Sequence, residues 1–369
     1  MNILILNSVL YTSESKVIPK VESIKDCMIY NLALGFKELG HSVTLVAASE
    51  YMPIRKVYDF KVVFIKSHLK KIFLPNILPL QLGIIPFLIK SRKQYDLIIS
   101  SEVFAFPSLF ASVISPKKTL IWQEMAAHNK KMKNIPSYIW NGIIATSFMK
   151  KPLIVPRSKG AKEFISHYLK NVSEIVVEHG INLNKFHFSV NKNKQFVVVS
   201  QLIERKNIQS IILKFKEFLK LELYSQFKLL IIGRGELEDE LKSLVSSKGL
   251  QNNVEFLGYM SHFELNKIVS NSMALLVDTK KDLNMVSVPE AIVSGTPVLT
   301  NLIPLTFHLI RENNLGIAKM NWNEDDLRDI VENNALYLEN CVKFRNELST
   351  LRVAQKLIDC FNNNRLKKK

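Results

Sequence analysis

At 369 residues the chain exceeds one ordinary domain and suits two, each long enough to bury its own core. Hydrophobic residues make up 47%, yet the uncharged run from Ile72 to Ile89 is broken by Pro75, Asn76, Pro79, Gln81 and Pro86, which excludes a membrane-spanning helix there. The formal net charge is +17, and in residues 1–185 a count of 25 Lys and Arg less 12 Asp and Glu leaves +13, so a basic partner surface is expected in the first half.

Met1-Asn2-Ile3-Leu4-Ile5-Leu6 lacks a basic flank and a small-residue cleavage site, and reads as a buried strand over residues 2–8 rather than a signal peptide. Ile24, Met28, Leu32 and Phe36 carry helical spacing over 24–39; Gly40-His41 ends that helix before a strand at 42–47. From Phe60 to Tyr95 there is no carboxylate, while Lys61, Lys66, Lys70, Lys71, Lys90, Arg92 and Lys93 flank apolar runs. Basic and apolar together point to an anionic membrane surface as partner. Nucleic acid is not expected, since no recognised binding motif or aromatic ladder accompanies the charge. Further strands are expected at 97–100, 119–122, 152–155 and 174–177. The polar run Ser189–Gln195 reads as a linker. Cys27, Cys341 and Cys360 stand apart, outside any grouping that would hold a metal or a disulfide framework, which fits a reducing cytoplasm.

A second strand–helix series starts at Phe196-Val197-Val198-Val199-Ser200 and continues at 228–232, 254–257, 274–277 and 298–300, with a helical stretch from about 324 to 364. In parallel sheets of this kind ligands bind beyond the carboxyl ends of the strands. Three strand exits in the second half therefore carry candidate chemistry. Ile232 leads into Gly233-Arg234-Gly235-Glu236, a glycine turn opening a helix at 237–247, where small residues let a diphosphate or ribose approach. Ser200 leads into Gln201-Leu202-Ile203-Glu204-Arg205-Lys206-Asn207, whose Lys206 can set a point charge against phosphate. Asp282-Leu283-Asn284-Met285-Val286-Ser287-Val288-Pro289-Glu290 enters a short helix starting near Met285, with Gly295 and Pro297 ending it. Its first N–H groups can receive a diphosphate; Glu290 is placed for paired ribose hydroxyls and Asp282 for sugar hydroxyls.

Leu230-Ile231-Ile232-Gly233-Arg234-Gly235-Glu236, then Val254-Glu255-Phe256-Leu257-Gly258-Tyr259, then Pro289-Glu290-Ala291 through Gly295-Thr296-Pro297-Val298 resemble, in order and spacing, the GT-B glycosyltransferases of family 4. In the first half, Leu32-Ala33 through Gly40-His41-Ser42-Val43 and Glu178-His179-Gly180-Ile181-Asn182 through Phe186 are similar to the same family. The resemblance implies an α/β chain of two Rossmann-like domains with an interdomain cleft, residues 1–188 and 189–351, and a helix at about 352–369 returning to the first domain. It implies retaining transfer of a sugar from a nucleotide-sugar, a UDP-sugar, to a glycan acceptor without metal or cofactor; the basic, apolar first half points to a lipid-linked precursor of cell-envelope polysaccharide as that acceptor, with a surface protein as the alternative. Glu290 matches the ribose-holding Glu of the family's E-x7-E motif, Asp282 the Glu facing the transferred sugar, and Lys206 the phosphate-binding Lys. Gln201 stands where the family has a phosphate-binding Arg. Gly233, Gly235, Gly258, Tyr259, Asn284, Met285 and Val286 complete the donor-binding set.

The family's His on the acceptor side follows a first-domain strand. Here Thr119–Trp122 leads to Gln123-Glu124-Met125-Ala126-Ala127-His128, so Gln123, Glu124 and His128 are all candidates, Glu124 and His128 for orienting the acceptor or the developing oxocarbenium face. The family's glycine-rich loop after the first strand is replaced by Tyr11–Ser23, the first motif Glu is shortened to Asp282, and Leu283 and Met285 replace glycines. These departures admit two alternatives, a non-catalytic GT-B partner of another transferase and a sugar-nucleotide epimerase. The expected location is cytoplasmic, peripheral at the inner face of the cell membrane.

Overall fold

A computed structural model describes residues 1–11, 17–127, 139, 144, 151–281 and 285–366. The chain divides into two compact units, Met1–Asn182 with Ser349–Lys369, and Leu183–Leu348.

The first unit is built on six parallel strands: β1 (Asn2–Leu6), β2 (Ser42–Ala48), β3 (Lys61–Ile65), β4 (Leu97–Ser101), β5 (Thr119–Gln123) and β6 (Leu153–Pro156). They lie in the order β3-β2-β1-β4-β5-β6, with Ile3 paired to Val43 on one side and Leu97 on the other. Ile3, Leu4 and Ile5 are wholly buried, as a strand covered on both faces requires, and this is why β1 is a continuous apolar run rather than an alternating one. Helices α1 (Met28–Glu38), α2 (Ile84–Ser91), α3 (Phe106–Ile114) and α4 (Lys159–Ser166) cover the sheet.

The second unit repeats the plan with β7 (Asn193–Val199), β8 (Lys228–Ile232), β9 (Val254–Gly258), β10 (Ser272–Val277), β11 (Val298–Thr300) and β12 (Gly316–Ala318), ordered β12-β11-β10-β7-β8-β9. Its helices are α5 (Ile208–Phe218), α6 (Glu238–Ser247), α7 (His262–Ser270), α8 (Ser287–Val293), α9 (Phe307–Glu312), α10 (Glu324–Glu332) and α11 (Asn334–Phe344). The core gathers Phe196, Phe215 and Phe218 under Trp322 and Leu327, all at most 1% exposed.

Helix α12 (Thr350–Leu366) belongs to the first unit and packs on α1. Val353, Ala354, Leu357 and Phe361 join Ile29, Leu32 and Phe36 in one core. Gly35 lets the two backbones meet: a Cβ there would lie 2.5 Å from the Thr350 carbonyl oxygen.

Four local readings of the sequence change. The run expected as one helical stretch is three helices, α10, α11 and α12. Residues 174–177 are not a strand: Val172 alone bridges to Ile154, and Ile175 is 51% exposed. The linker ends earlier than expected, because β7 begins at Asn193 and Gln195 pairs with Lys228 through backbone that needs no apolar side chain. Edge strands β3 and β12 were not expected at all. Among the described residues no helix is long and apolar enough to cross a membrane.

Candidate functional site

In each unit the sheet order reverses beside the first strand of that unit, between β1 and β4 and between β7 and β10, and the crevice for a ligand opens where such strands end. In the second unit the β7 and β10 exits are laced together. Thr279 Oγ1 and the Lys280 N–H both donate to the Arg205 carbonyl, each at 2.8 Å. Below them buried Asp278 accepts from Ser210 Oγ at 2.7 Å and from Lys214 Nζ at 2.6 Å, fixing the first turns of α5. The Lys214 ammonium also lies 4.1 Å from the Trp322 ring. Lys206 closes a short 3-10 turn, Glu204–Lys206, held by this scaffold, and Gln201, three residues before that turn, is exposed.

The two glycines after β8 have a reason within the chain. A Cβ on Gly233, whose φ is +138°, would sit 1.8 Å from the Ser200 carbonyl oxygen, and one on Gly235 would sit 2.3 Å from that of Leu202. The β7 exit crosses there, with Leu202 N–H donating to the Arg234 carbonyl at 3.0 Å. The absent side chains are thus already required by this crossing. Gly258, at φ +66°, accepts from Gly233 N–H at 2.9 Å, and Tyr259 beyond it is 78% exposed.

Glu290 lies on α8, whose opposite face inserts Val288, Ala291 and Ile292, each wholly buried. Its side chain is 17% exposed and shares a shallow recess with Val199 at the end of β7, Ser287, Phe186 and His262. Burial pushes the carboxyl up to about 7. His262 Nε2 stands 3.8 Å from Glu290 Oε1, at the start of α7, where Ser261 and Glu264 form a reciprocal cap. Met285 is buried and Val286, before α8, is 67% exposed. Asp282 and Asn284 lie outside the described residues, as does His128.

In the first unit Glu124 follows β5 directly. Arg157 Nη1 donates to its Oε2 at 2.7 Å and His179 Nε2 stands 3.2 Å from its Oε1. His179 foremost, with Arg157, holds the Glu124 carboxyl down at about 2. Arg157 is 5% exposed, stacked 3.7 Å over Trp122, whose indole N–H donates to the Val177 carbonyl at 2.8 Å. Glu102, after β4, has φ +65° and accepts from the N–H groups of Glu124 (2.9 Å) and Met125 (3.2 Å); burial raises its carboxyl. Gln123 is wholly buried, accepting from Val103 N–H at 2.8 Å and donating to the Met125 carbonyl at 3.0 Å, so it shapes the loop. Sequence reasoning did not assign Glu102, Arg157 or His179 to this cluster. Arg157, placed directly after an apolar strand, was the one local signal for it.

Residues 181–346 match the family of glycosyl transferases group 1. Over 254 residues the chain is 24% identical to the alpha-monoglucosyldiacylglycerol synthase of Streptococcus pneumoniae, covering 62% of this chain and 56% of that protein, so just over half of the relative's length is spanned. In three dimensions it is similar to Anabaena Alr3699/HepE in complex with UDP, at TM-score 0.62 and 13% identity over 98% of this chain and 100% of that one. A glycosyltransferase from Rickettsia africae ESF-5 superimposes at TM-score 0.65 and 13% identity, covering 98% of each chain. Residues 181–346 thus resemble a group 1 glycosyltransferase domain, and the two parallel six-stranded sheets share the GT-B fold of the solved structures.

Proposed function

We propose that the protein transfers a sugar, with retention, from a nucleotide-sugar, a UDP-sugar, to a glycan acceptor, a lipid-linked precursor of cell-envelope polysaccharide, at the inner face of the membrane. The observation that carries this reading is Glu290, a carboxyl largely withdrawn from water in a recess at the carboxyl edge of the second sheet, within the matched segment 181–346. There it accepts the two ribose hydroxyls of the donor. Lys206 and the N–H groups of Met285 and Val286 meet the charge that develops on the leaving diphosphate, so that no metal is needed. Asp282 and Asn284 serve the transferred sugar, and Gln201, Gly233, Gly235, Gly258 and Tyr259 line the rest of the donor site. In the first unit Glu124, held as an anion between Arg157 and His179, and His128 orient the acceptor or the developing oxocarbenium face. The UDP complex of the Anabaena neighbour and the lipid named in the streptococcal relative support the choice of donor and acceptor class.

The test is Glu290→Ala, assayed for donor turnover over a panel of nucleotide sugars with far-ultraviolet circular dichroism as the fold control. Loss of turnover on an intact fold is expected; undiminished turnover counts decisively against the site. Donor binding without turnover under every acceptor would favour a non-catalytic partner. Conversion of the nucleotide sugar with no acceptor present would favour an epimerase.

A further inference from the structure

The first unit carries an excursion whose base is fixed and whose tip is greasy. His68 N–H donates to the Leu80 carbonyl at 2.7 Å, closing the loop 69–79. Wholly buried Gln81 pins it, donating to the Ala47 carbonyl at 3.1 Å and the Ile65 carbonyl at 2.9 Å and accepting from Ser8 Oγ. Phe73 turns inward, edge-on to Phe106 with ring centroids 4.9 Å apart. Three aliphatic side chains face water: Ile72 is 72% exposed, Leu69 59% and Ile77 43%. Leu69 holds φ +47°, a conformation that costs a leucine energy and that a turn ordinarily gives to Gly or Asn.

In the connection between β2 and β3, Ile54 is 60% exposed and Val57 68%. Glu50, in the turn after β2, holds the base of the loop 69–79, accepting from Ser67 Oγ at 2.8 Å and from Lys70 Nζ at 2.7 Å. Residues 54–93 hold nine Lys and Arg against one carboxylate, Asp59, which is paired with Lys25 at 3.0 Å. Lys56, Lys66 and Lys71 are exposed.

We propose that the loop 69–79 is the surface by which the protein docks on an anionic lipid bilayer. Aliphatic tips ringed by lysine insert at the headgroup boundary while the cations meet anionic headgroups. A second copy of the chain would bring the same cations face to face. Nucleic acid would call for aromatic platforms, and the exposed side chains here are aliphatic. The loop leaves β3 at the carboxyl edge of the first sheet, the edge at which Glu124 leaves β5, so docking would bring that edge to the membrane. The inference rests on the reading of a lipid-linked acceptor and names the surface that meets it.

The experiment is flotation of the full chain with phosphatidylcholine vesicles, with and without phosphatidylglycerol, across salt concentrations. Binding is expected only to the anionic vesicles and is expected to weaken with salt. Ile72→Ser with Ile77→Ser should lower partitioning about tenfold or more. Lys66→Gln and Lys71→Gln should each lower it about fivefold. All variants should melt as wild type does. Absence of flotation on anionic vesicles, equal flotation of wild type and variants, or a concentration-dependent dimer that Ile72→Ser with Ile77→Ser dissolves would overturn the proposal. A chain that glycosylates a detergent-dispersed acceptor but ignores vesicles keeps the transferase reading and loses the docking surface. One that floats as described but turns over no nucleotide sugar does the reverse.

Discussion

Glu290 should make the second unit less stable as pH rises, and Glu290→Gln should remove that dependence. Burial moves the folded carboxyl from its ordinary 4.5 to about 7. Below the unfolded value both states are protonated and the substitution costs little. Between the two values the unfolded chain has released its proton while the folded one retains it. The unfolded state then binds fewer protons, and stability falls with increasing pH. Above the folded value the full difference applies, about 3 kcal/mol at about 1.4 kcal/mol per pH unit. Glu290→Gln keeps the shape without the charge, so at about pH 8.5 it should be more stable than wild type by up to about 3 kcal/mol, and near pH 4 almost equal. Urea unfolding of both proteins from acid to mildly alkaline pH measures this. The same variant should lose donor affinity, because a neutral amide is a weaker acceptor for ribose hydroxyls than a carboxylate. A stability difference that does not change with pH would refute the claim that burial sets the Glu290 carboxyl.

Four other substitutions test the scaffold and the first-unit cluster. Gly233→Ala places a methyl 1.8 Å from the Ser200 carbonyl oxygen at φ +138°, and should cost about 3 kcal/mol or more, whereas Gly249→Ala, at φ +71° with nothing within 4 Å, should cost only about 1 kcal/mol; urea midpoints compare them. Arg157→Met leaves Glu124 and Glu102 facing each other without their shared cation and should destabilise the first unit by about 3–5 kcal/mol, read from thermal or urea unfolding. Since Glu124 is held at about 2, Glu124→Gln should lower transfer while leaving the shape of the pH–rate profile unchanged from about pH 4 upward.

What the sequence disclosed and what it hid follow from one distinction, between neighbours along the chain and neighbours across a sheet. Strands β1, β4, β8 and β10 are covered on both faces, so burial writes itself into each as an unbroken apolar run. Edge strands escape this rule: β3 is only partly buried and starts at Lys61, and β12 has three residues, too few to show a period. The position of Glu290 was legible because it is local, a carboxyl beside Pro289 in a short helix, whereas the recess it shares with Phe186, Val199 and His262 is assembled across the sheet and was not. The Glu102, Glu124, Arg157 and His179 cluster is the opposite case. Each follows a different strand or loop, up to 77 positions apart, and only the adjacency of β4, β5 and β6 gathers them. Even His179, noted as part of a turn, gave no sign that its imidazole reaches Glu124 at 3.2 Å. This bears on how Glu124 works: with Arg157 on one oxygen and His179 on the other, it is spoken for as an anion and poorly suited to move a proton. If the first unit contributes to catalysis through Glu124, it does so by a fixed negative charge, and replacing His179 by Asn should then impair transfer chiefly by loosening that carboxylate.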